Sequence, residues 1–328
     1  MSNRRKLILA LGAGTLVVPF RSHAQQQSKL WRIGVLSALP SGNDQQFEES
    51  RQRFRELGYV EGKTITFDYL SSEGNYDRLP VLAAELAGRK VDVIFAAGGT
   101  PTVLAVKNAT RTIPVVFVGV ADPVGQGIVA SLARPGGNVT GVSSQQTETA
   151  VRSLALFKET IPSAKRFVIL SNPTNLSLAP VLSNMQAAGK ALRLELIVID
   201  VKAPGEIERA FAEIAKIRPS GVVIPIDTMF QNEAGRIIKL AAGARLPTMG
   251  GHTAIPENGG LMSYGANRPD LVRHAVILVD KILKNAKPGD LPIEQPTKFD
   301  FVVNLKAAKT LGINIPNSVM VQATKVIK

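Results

Sequence analysis

The sequence predicts an α/β protein of two similar lobes, each built on a parallel β-sheet with helices on both faces. Short apolar segments alternate with amphipathic segments of helical period along the chain, and a strict alternation of strands and helices gives parallel sheets. The alternation occurs twice, with corresponding strands about 130 residues apart. A length of 328 residues suits two lobes better than one small core.

The first half of the chain carries four apolar segments separated by three amphipathic ones. Residues 64–70 alternate apolar and polar side chains, which is the strand period, whereas residues 91–97 are largely apolar on both faces, as in a central parallel strand. Gly58 and Gly88 follow the first two helical segments. Strands are therefore predicted over 33–36, 64–70, 91–97 and 115–118, and helices over 44–57, 80–87 and 100–109.

The second half repeats this pattern and then continues beyond it. Strands are predicted over 166–170, 194–199 and 222–226, each followed by a helix, and a long helix over 269–283 and a strand over 298–304 come later. Elements beyond two complete lobes indicate that the chain crosses back. We therefore expect two Rossmann-like lobes joined by a multi-crossing hinge, with a cleft between them.

Two short segments flanked by glycine, 138–142 and 261–265, are interpreted as semi-extended joins between the lobes. They give the expected boundaries: lobe one comprises 30–140 plus 266–328, and lobe two comprises 141–265. The assignment of the tail depends on the number of crossings, because a third crossing would return part of it to lobe two.

The first 24 residues have the organisation of a secretory signal peptide. Arg4, Arg5 and Lys6 precede an apolar run over 7–20, and Ser22-His23-Ala24 resembles a cleavage site. The run is shorter than the roughly 20 apolar residues of a membrane span, although a retained anchor is the alternative. We expect cleavage near Ala24, and the paired arginines are compatible with the twin-arginine route or with ordinary export.

The charge and the cysteine count exclude several classes of protein. The net charge of +13 falls to +9 once the signal peptide is removed, and the basic residues are scattered without interleaved aromatics, so no nucleic acid partner is expected. Lysines enriched near the C-terminus are interpreted as a solvated face. The absence of cysteine excludes disulfides, thiolate metal sites, cysteine nucleophiles and a lipidated cysteine anchor. An export signal without an anchor indicates the periplasm.

Open parallel sheets bind ligands beyond the carboxyl ends of their strands, and this rule selects the candidate residues. Gly99 and Thr100 follow a buried strand and open a helix, so their backbone N–H groups could bind an anion, or Thr100 could simply cap the helix. Asp227 also follows a strand, where it could accept a ligand ammonium or hydroxyl or cap the next helix. The full candidate set is Ser37, Gly99, Thr100, Asp122, Asn172, Asp227, His252 and Tyr264.

Some of these candidates have simpler structural readings. Asp122 precedes proline in a turn motif, and Asn172 does too. Tyr264 could pack in the wall of the cleft. His252 has no second histidine or carboxylate cluster nearby, so no metal site is expected.

Enzyme motifs are missing from the chain. There is no Gly-x-Ser-x-Gly motif, and the segment 58–64 has the wrong glycine spacing for a phosphate-binding loop and follows a helix instead of a strand. A catalytic triad would have to use His252 or His274. We therefore expect a binding protein without a cofactor, not an enzyme.

Several longer motifs carry a family resemblance. They include RFRELGYVEGK at 53–63, SLARPGGNVTG at 131–141 and GGLMSYG at 259–265. With these motifs the chain resembles the periplasmic substrate-binding proteins of ABC importers, in the family related to tryptophan- and tyrosine-type components. The resemblance implies a fold similar to the type I periplasmic binding proteins, a ligand held between the lobes, and delivery to a membrane permease with its ATPase.

The expected function is therefore capture of a small molecule, an amino acid or a related carboxylate, by a monomer that meets the membrane only through the permease. The carboxylate would meet Gly99 and Thr100, and an ammonium group would meet Asp227 or, as second choice, Asp122. The other candidates would complete the polar ring. The alternatives are a ligand-sensing subunit for a membrane receptor and an exported hydrolase or isomerase.

Overall fold

The computed structural model describes residues 29–328, which form two α/β lobes. The predicted signal peptide, residues 1–24, lies outside the described residues. Among the helices of residues 29–328, none is long and apolar enough to cross a membrane.

The first lobe contains a five-stranded sheet in which every neighbouring pair is parallel. The strands lie in the order β2-β1-β3-β4-β5. The elements are β1 (Trp31–Ser37), α1 (Gln45–Glu56), β2 (Ile65–Ser71), α2 (Leu79–Gly88), β3 (Val93–Ala96), α3 (Thr100–Ala109), β4 (Val115–Val120) and β5 (Val139–Ser143). The four predicted strands and three predicted helices of this half are confirmed.

The second lobe begins with α4 and repeats the same arrangement. Its elements are α4 (Gln146–Thr160), β6 (Arg166–Ser171), α5 (Leu178–Ala191), β7 (Glu195–Asp200), α6 (Ile207–Ile217), β8 (Val222–Ile224), α7 (Thr228–Asn232), α8 (Ala234–Gly243), β9 (Thr248–Gly250), α9 (Ala254–Glu257) and β10 (Met262–Ala266). The strand order β7-β6-β8-β9-β10 matches that of the first sheet. The predicted duplication is therefore confirmed.

The tail is divided between the lobes. Its elements are α10 (Arg268–Leu283), β11 (Phe299–Asn304), α11 (Leu305–Leu311), α12 (Asn317–Met320) and β12 (Lys325–Ile327). Helix α10 packs on the first sheet, as expected. Strands β11 and β12, however, extend the second sheet, with β11 antiparallel to β10. The expectation that all of 266–328 belongs to lobe one is wrong for these strands, because the chain crosses a third time after α10.

The two segments interpreted as joins are strands instead of connections. The first segment coincides with β5, which pairs with β4. The second coincides with β10, which pairs with β9 on one side and with β11 on the other. The chain passes between the lobes just after β5, just after β10 and before β11. A hinge of several crossings is therefore present, with its connections displaced by a few residues from the predicted positions.

Each lobe has its own apolar core. In the first, α10 covers one face of the sheet, and Val272, Val276 and Val279 are fully buried in a cluster that includes Val35 and Phe95. This burial follows from the helical spacing of the apolar side chains in α10. The cores hold the strands rigidly, so that the loops at their carboxyl ends have fixed positions.

The strand order determines where a ligand can enter. In each lobe the first strand lies between the second and the third, so the connections that leave the first and third strands run in opposite directions. This reversal opens a crevice at the carboxyl ends of β1 and β3, and another at those of β6 and β8. The two crevices contribute to one cavity between the lobes.

Candidate ligand-binding site

A cavity of about 120 Å³ lies between the lobes. Both lobes line it, mainly through loops that follow strands. The first lobe and α10 contribute Leu39, Gln46, Tyr76, Gly98, Gly99, Thr100, Pro101, Val118, Gly119, Arg268 and Leu271, and the second lobe with its entry segment contributes Ser144, Gln146, Asn175, Ser177, Ile226, Asp227, Thr228, Gln231, Gly251, His252 and Ala266. The walls are therefore mostly apolar or uncharged, with a few ionisable groups, as is usual for small-molecule sites.

The N-terminus of α3 faces this cavity. Gly98 and Gly99 have φ of +94° and +83°, which favour glycine. A Cβ on Gly98 would lie 2.6 Å from the Cβ of Ala38 in the loop after β1. Within residues 29–328 no side chain caps α3, so the N–H groups of its first turn are available to an anion.

Asp227 is buried and surrounded by donors. Its carboxylate accepts hydrogen bonds from Asn175 Nδ2 at 2.9 Å and from Asn172 Nδ2 at 3.3 Å, and from the backbone N–H groups of Met229 and Phe230 at 2.9 and 3.3 Å. The two backbone bonds make it the N-cap of α7. Burial raises the pKa of Asp227 above its ordinary value, and the hydrogen bonds oppose that rise.

A fifth donor to Asp227 comes from the other lobe. The hydroxyl of Tyr76, which lies in a turn of 3-10 helix before α2, donates to Asp227 Oδ2 at 3.2 Å and accepts the N–H of Thr228 at 3.3 Å. The Thr228 hydroxyl lies 3.5 Å from the carbonyl oxygen of Gly98. Because these contacts bridge the lobes, the structure represents a closed arrangement.

His252 and Arg268 present unpartnered polar atoms at the cavity. Both ring nitrogens of His252 and Nε of Arg268 are buried and have no hydrogen-bond partner in the part of the chain that the structure describes. Arg268 Nη2 donates to Gln45 at 3.0 Å and to Glu49 at 2.9 Å, both on α1. Burial, together with the charge of Arg268, lowers the pKa of His252 to about 4, so the imidazole is neutral at pH 7.

Comparison with known proteins identifies the family. The family model described as ABC transporter substrate binding protein matches residues 42–327, which is most of the chain. The chain belongs to this family. The predicted resemblance is therefore confirmed, and the family consists of proteins that bind small-molecule ligands for ABC transporters.

Individual relatives agree with this assignment. The substrate-binding protein is 25% identical over 257 residues to a tyrosine-binding protein of Clostridioides difficile, covering 78% of this chain and 73% of that one. A solved structure from Streptococcus pneumonia in complex with L-Trp has a TM-score of 0.83 and 26% identity, covering 91% of this chain and all of that one. A conserved domain protein of Vibrio cholerae has the same TM-score and coverages at 28% identity. The two-lobed fold is thus the fold of solved ABC substrate-binding proteins.

Four of the eight residues selected from the sequence of this binding protein line the cavity. They are Gly99, Thr100, Asp227 and His252. Of the two roles considered for Asp227, capping is the one the geometry shows, since protein donors already occupy its oxygens.

The other four selected residues do not line the cavity. Ser37 is buried and accepts the N–H of Leu39 within its own loop. Asp122 accepts the N–H of Gly125 in a turn, and Asn172 is a buried partner of Asp227. Tyr264 stacks on the ring of Phe299, with ring centroids 5.9 Å apart. Each of these therefore supports the structure around the site.

Sequence reasoning missed Tyr76 and Arg268. Tyr76 lies between a strand and a helix, outside the loops selected by the strand-end rule, although its position after β2 at the carboxyl edge was a usable signal. Arg268 lies at the second crossing, immediately after the segment interpreted as a join. Treating the joins themselves as parts of the site would have identified it.

Proposed function

We propose that this protein is the solute-binding component of an ABC importer and that its ligand is an amino acid or a closely related carboxylate. The observation that carries the proposal is the closed interlobe cavity onto which the uncapped N-terminus of α3 opens. A helix N-terminus supplies both N–H donors and a favourable dipole to a carboxylate. The relatives named for tyrosine and for L-Trp support an amino-acid ligand.

In this proposal the ligand is carried and not converted. The ligand binds an open form and favours closure, and the closed complex docks on a membrane permease that works with an ATPase. Part of the binding free energy is consumed in closing the hinge, which lowers the apparent affinity. The protein acts as a monomer in the periplasm after export by the N-terminal signal peptide.

The first test is a thermal-shift screen. The purified protein is unfolded and refolded to remove any bound ligand and is then tested against amino acids and small organic acids. A ligand at 100 times its dissociation constant should stabilise the protein by about 2.7 kcal/mol, and small-angle scattering with that ligand should show compaction. The proposal fails if no compound of these classes stabilises the protein, or if the ligand is turned over into a product.

The second test addresses the carboxylate. Thr100→Val removes a hydroxyl at the N-terminus of α3 and should weaken binding at least about tenfold, the loss expected for a charge-assisted hydrogen bond. Thr102→Val is the matched control, because Thr102 is a buried threonine in the same turn that does not line the cavity. Equal affinity in Thr100→Val and the parent protein would exclude this carboxylate site.

A further inference from the structure

His252 and Arg268 line the cavity with unsatisfied hydrogen-bonding capacity. Nε of Arg268 is a buried donor, and a neutral imidazole has one donor and one acceptor nitrogen. None of these atoms has a partner among residues 29–328. Buried polar groups are normally paired, and an unpaired one costs free energy. Such groups that line a cavity indicate that the occupant satisfies them.

The charges around this pair restrict what the occupant can be. Among the described residues, the charged side chains that line the cavity are those of Asp227 and Arg268. Arg268 is paired with Glu49 at 2.9 Å, and the carboxylate of Asp227 is occupied by protein donors. The imidazole of His252 carries no charge at pH 7. The cavity wall at this pair is therefore close to neutral, and a charged group on the side chain of the ligand would be buried there without a counter-charge.

Resting on the proposed function, we infer that His252 and Arg268 form a specificity site for an uncharged, oxygen-bearing group on the side chain of the ligand. A hydroxyl or carboxamide fits because its oxygen accepts the N–H of Arg268 Nε while its own hydrogen is donated to the unprotonated nitrogen of His252. A purely apolar side chain would leave the same buried atoms unpaired. Sites built to bind a hydroxyl discriminate strongly against the analogue that lacks it.

The experiment compares pairs of amino acids that differ in this group. Calorimetry on the refolded protein uses L-tyrosine with L-phenylalanine, L-threonine with L-valine, and L-glutamine with L-norleucine. In the pair that binds, the member with the oxygen should bind at least about tenfold more tightly. The ratio of the two affinities should fall below about twofold in His252→Phe and in Arg268→Met, because each substitution removes part of the donor and acceptor set.

A matched control separates this effect from a general loss of charge on α10. Arg273→Met removes another arginine of the same helix, one that pairs with Asp270 and does not line the cavity, and the binding ratio should not change. His252→Phe keeps the inference testable if Arg268→Met fails to fold, since the ring nitrogens of His252 make no hydrogen bond to residues 29–328.

The outcomes separate this inference from the proposed function. If amino acids bind with no preference for the oxygen, or if the preference survives both substitutions, the specificity site is rejected while the proposed function stands. That result would mean that water, and not the ligand, forms hydrogen bonds with the unpartnered atoms of His252 and Arg268. If none of the amino acids and organic acids binds, both are rejected.

Discussion

The hydroxyl of Tyr76 in the first lobe lies 3.2 Å from Oδ2 of Asp227 in the second lobe. The same hydroxyl accepts the N–H of Thr228 at 3.3 Å. Asp227 in turn caps α7. The Tyr76 side chain of the first lobe is therefore hydrogen-bonded to the N-terminus of a helix in the second lobe. These bonds join the two lobes, so they form only when the lobes are closed and contribute to closure directly.

Tyr76→Phe should weaken ligand binding about 5- to 150-fold, because it removes two hydrogen bonds of about 0.5–1.5 kcal/mol each that form only in the closed state. The melting temperature of the open, ligand-free protein should change little. Titration calorimetry measures the affinity, and scanning calorimetry measures the melting temperature. Tyr59→Phe is the control, since the Tyr59 hydroxyl donates to Asp280 within the first lobe. An equal loss of affinity in both variants would argue against a closing contact.

Asp227→Asn should destabilise the protein by about 2 kcal/mol, because an amide NH₂ would then face the donors Asn172 and Asn175 in a buried site. The free energy of unfolding in urea measures this. Asp122→Asn should cost less than about 1 kcal/mol, since the remaining amide oxygen can still accept the N–H of Gly125 in a less buried turn. The interpretation of the Asp227 carboxylate as the acceptor of both asparagine amides would be wrong if Asp227→Asn were as stable as the parent.

The stability of the protein should depend on pH through His252. Its pKa is about 4 in the folded state, against an ordinary value of about 6.5, so the unfolded chain binds the proton first as the pH falls. The contribution to stability is therefore fully present above about pH 6.5 and is lost as the pH falls towards 4. It amounts to about 3 kcal/mol.

His252→Phe should remove this part of the acid sensitivity while leaving the protein folded at pH 7. Urea unfolding of both proteins at pH 7 and at pH 4.5 measures the difference. The parent should lose about 2–3 kcal/mol more than the variant over this interval. Parallel losses in the two proteins would show that His252 is not held neutral by its surroundings.

The two adjacent glycines before α3 should respond differently to substitution by alanine. Both have positive φ, so both variants are strained, but only at Gly98 does a Cβ clash with backbone atoms, 2.7 Å from the nitrogen of Ala38. At Gly99 the nearest atom would be the carbonyl oxygen of Gly119, 3.9 Å away. Gly99→Ala should cost about 1–3 kcal/mol, and Gly98→Ala should cost more. Urea unfolding measures the stability of the two variants. A larger loss in Gly99→Ala than in Gly98→Ala would contradict the close approach of the loops after β1 and β3.

Most of the fold can be predicted from the sequence because its apolar side chains recur with clear strand and helix periods. Helix α3 was placed at its observed ends, since Pro101 in its first turn and the glycines before it are local signals. Strands β5 and β10 are interpreted from sequence as joins, because short strands with glycine resemble connections until their pairing is known. The pairing of β11 and β12 depends on contacts with distant residues, which no local pattern encodes.

The candidate site was predictable only where a single lobe defines it. Gly99, Thr100 and Asp227 follow strands and were found by the strand-end rule. The positions of Tyr76 after β2 and of Arg268 beside a join are usable signals, but the roles of both residues come from contacts across the cleft and at the crossing, which depend on how the lobes are placed together. Whether Asp227 faces a ligand or caps a helix was also undecided from sequence, since both roles use the same residue type at the same position.

The position of α10 in the chain has a consequence for biosynthesis. The five strands of the first sheet are complete at Ser143, but the helix that covers one face of that sheet begins at Arg268, about 125 residues later. At ordinary rates of synthesis this face remains uncovered for on the order of ten seconds. The nascent chain therefore exposes an apolar surface that a chaperone can bind, and a circular permutation placing α10 ahead of β1 should shorten that exposure.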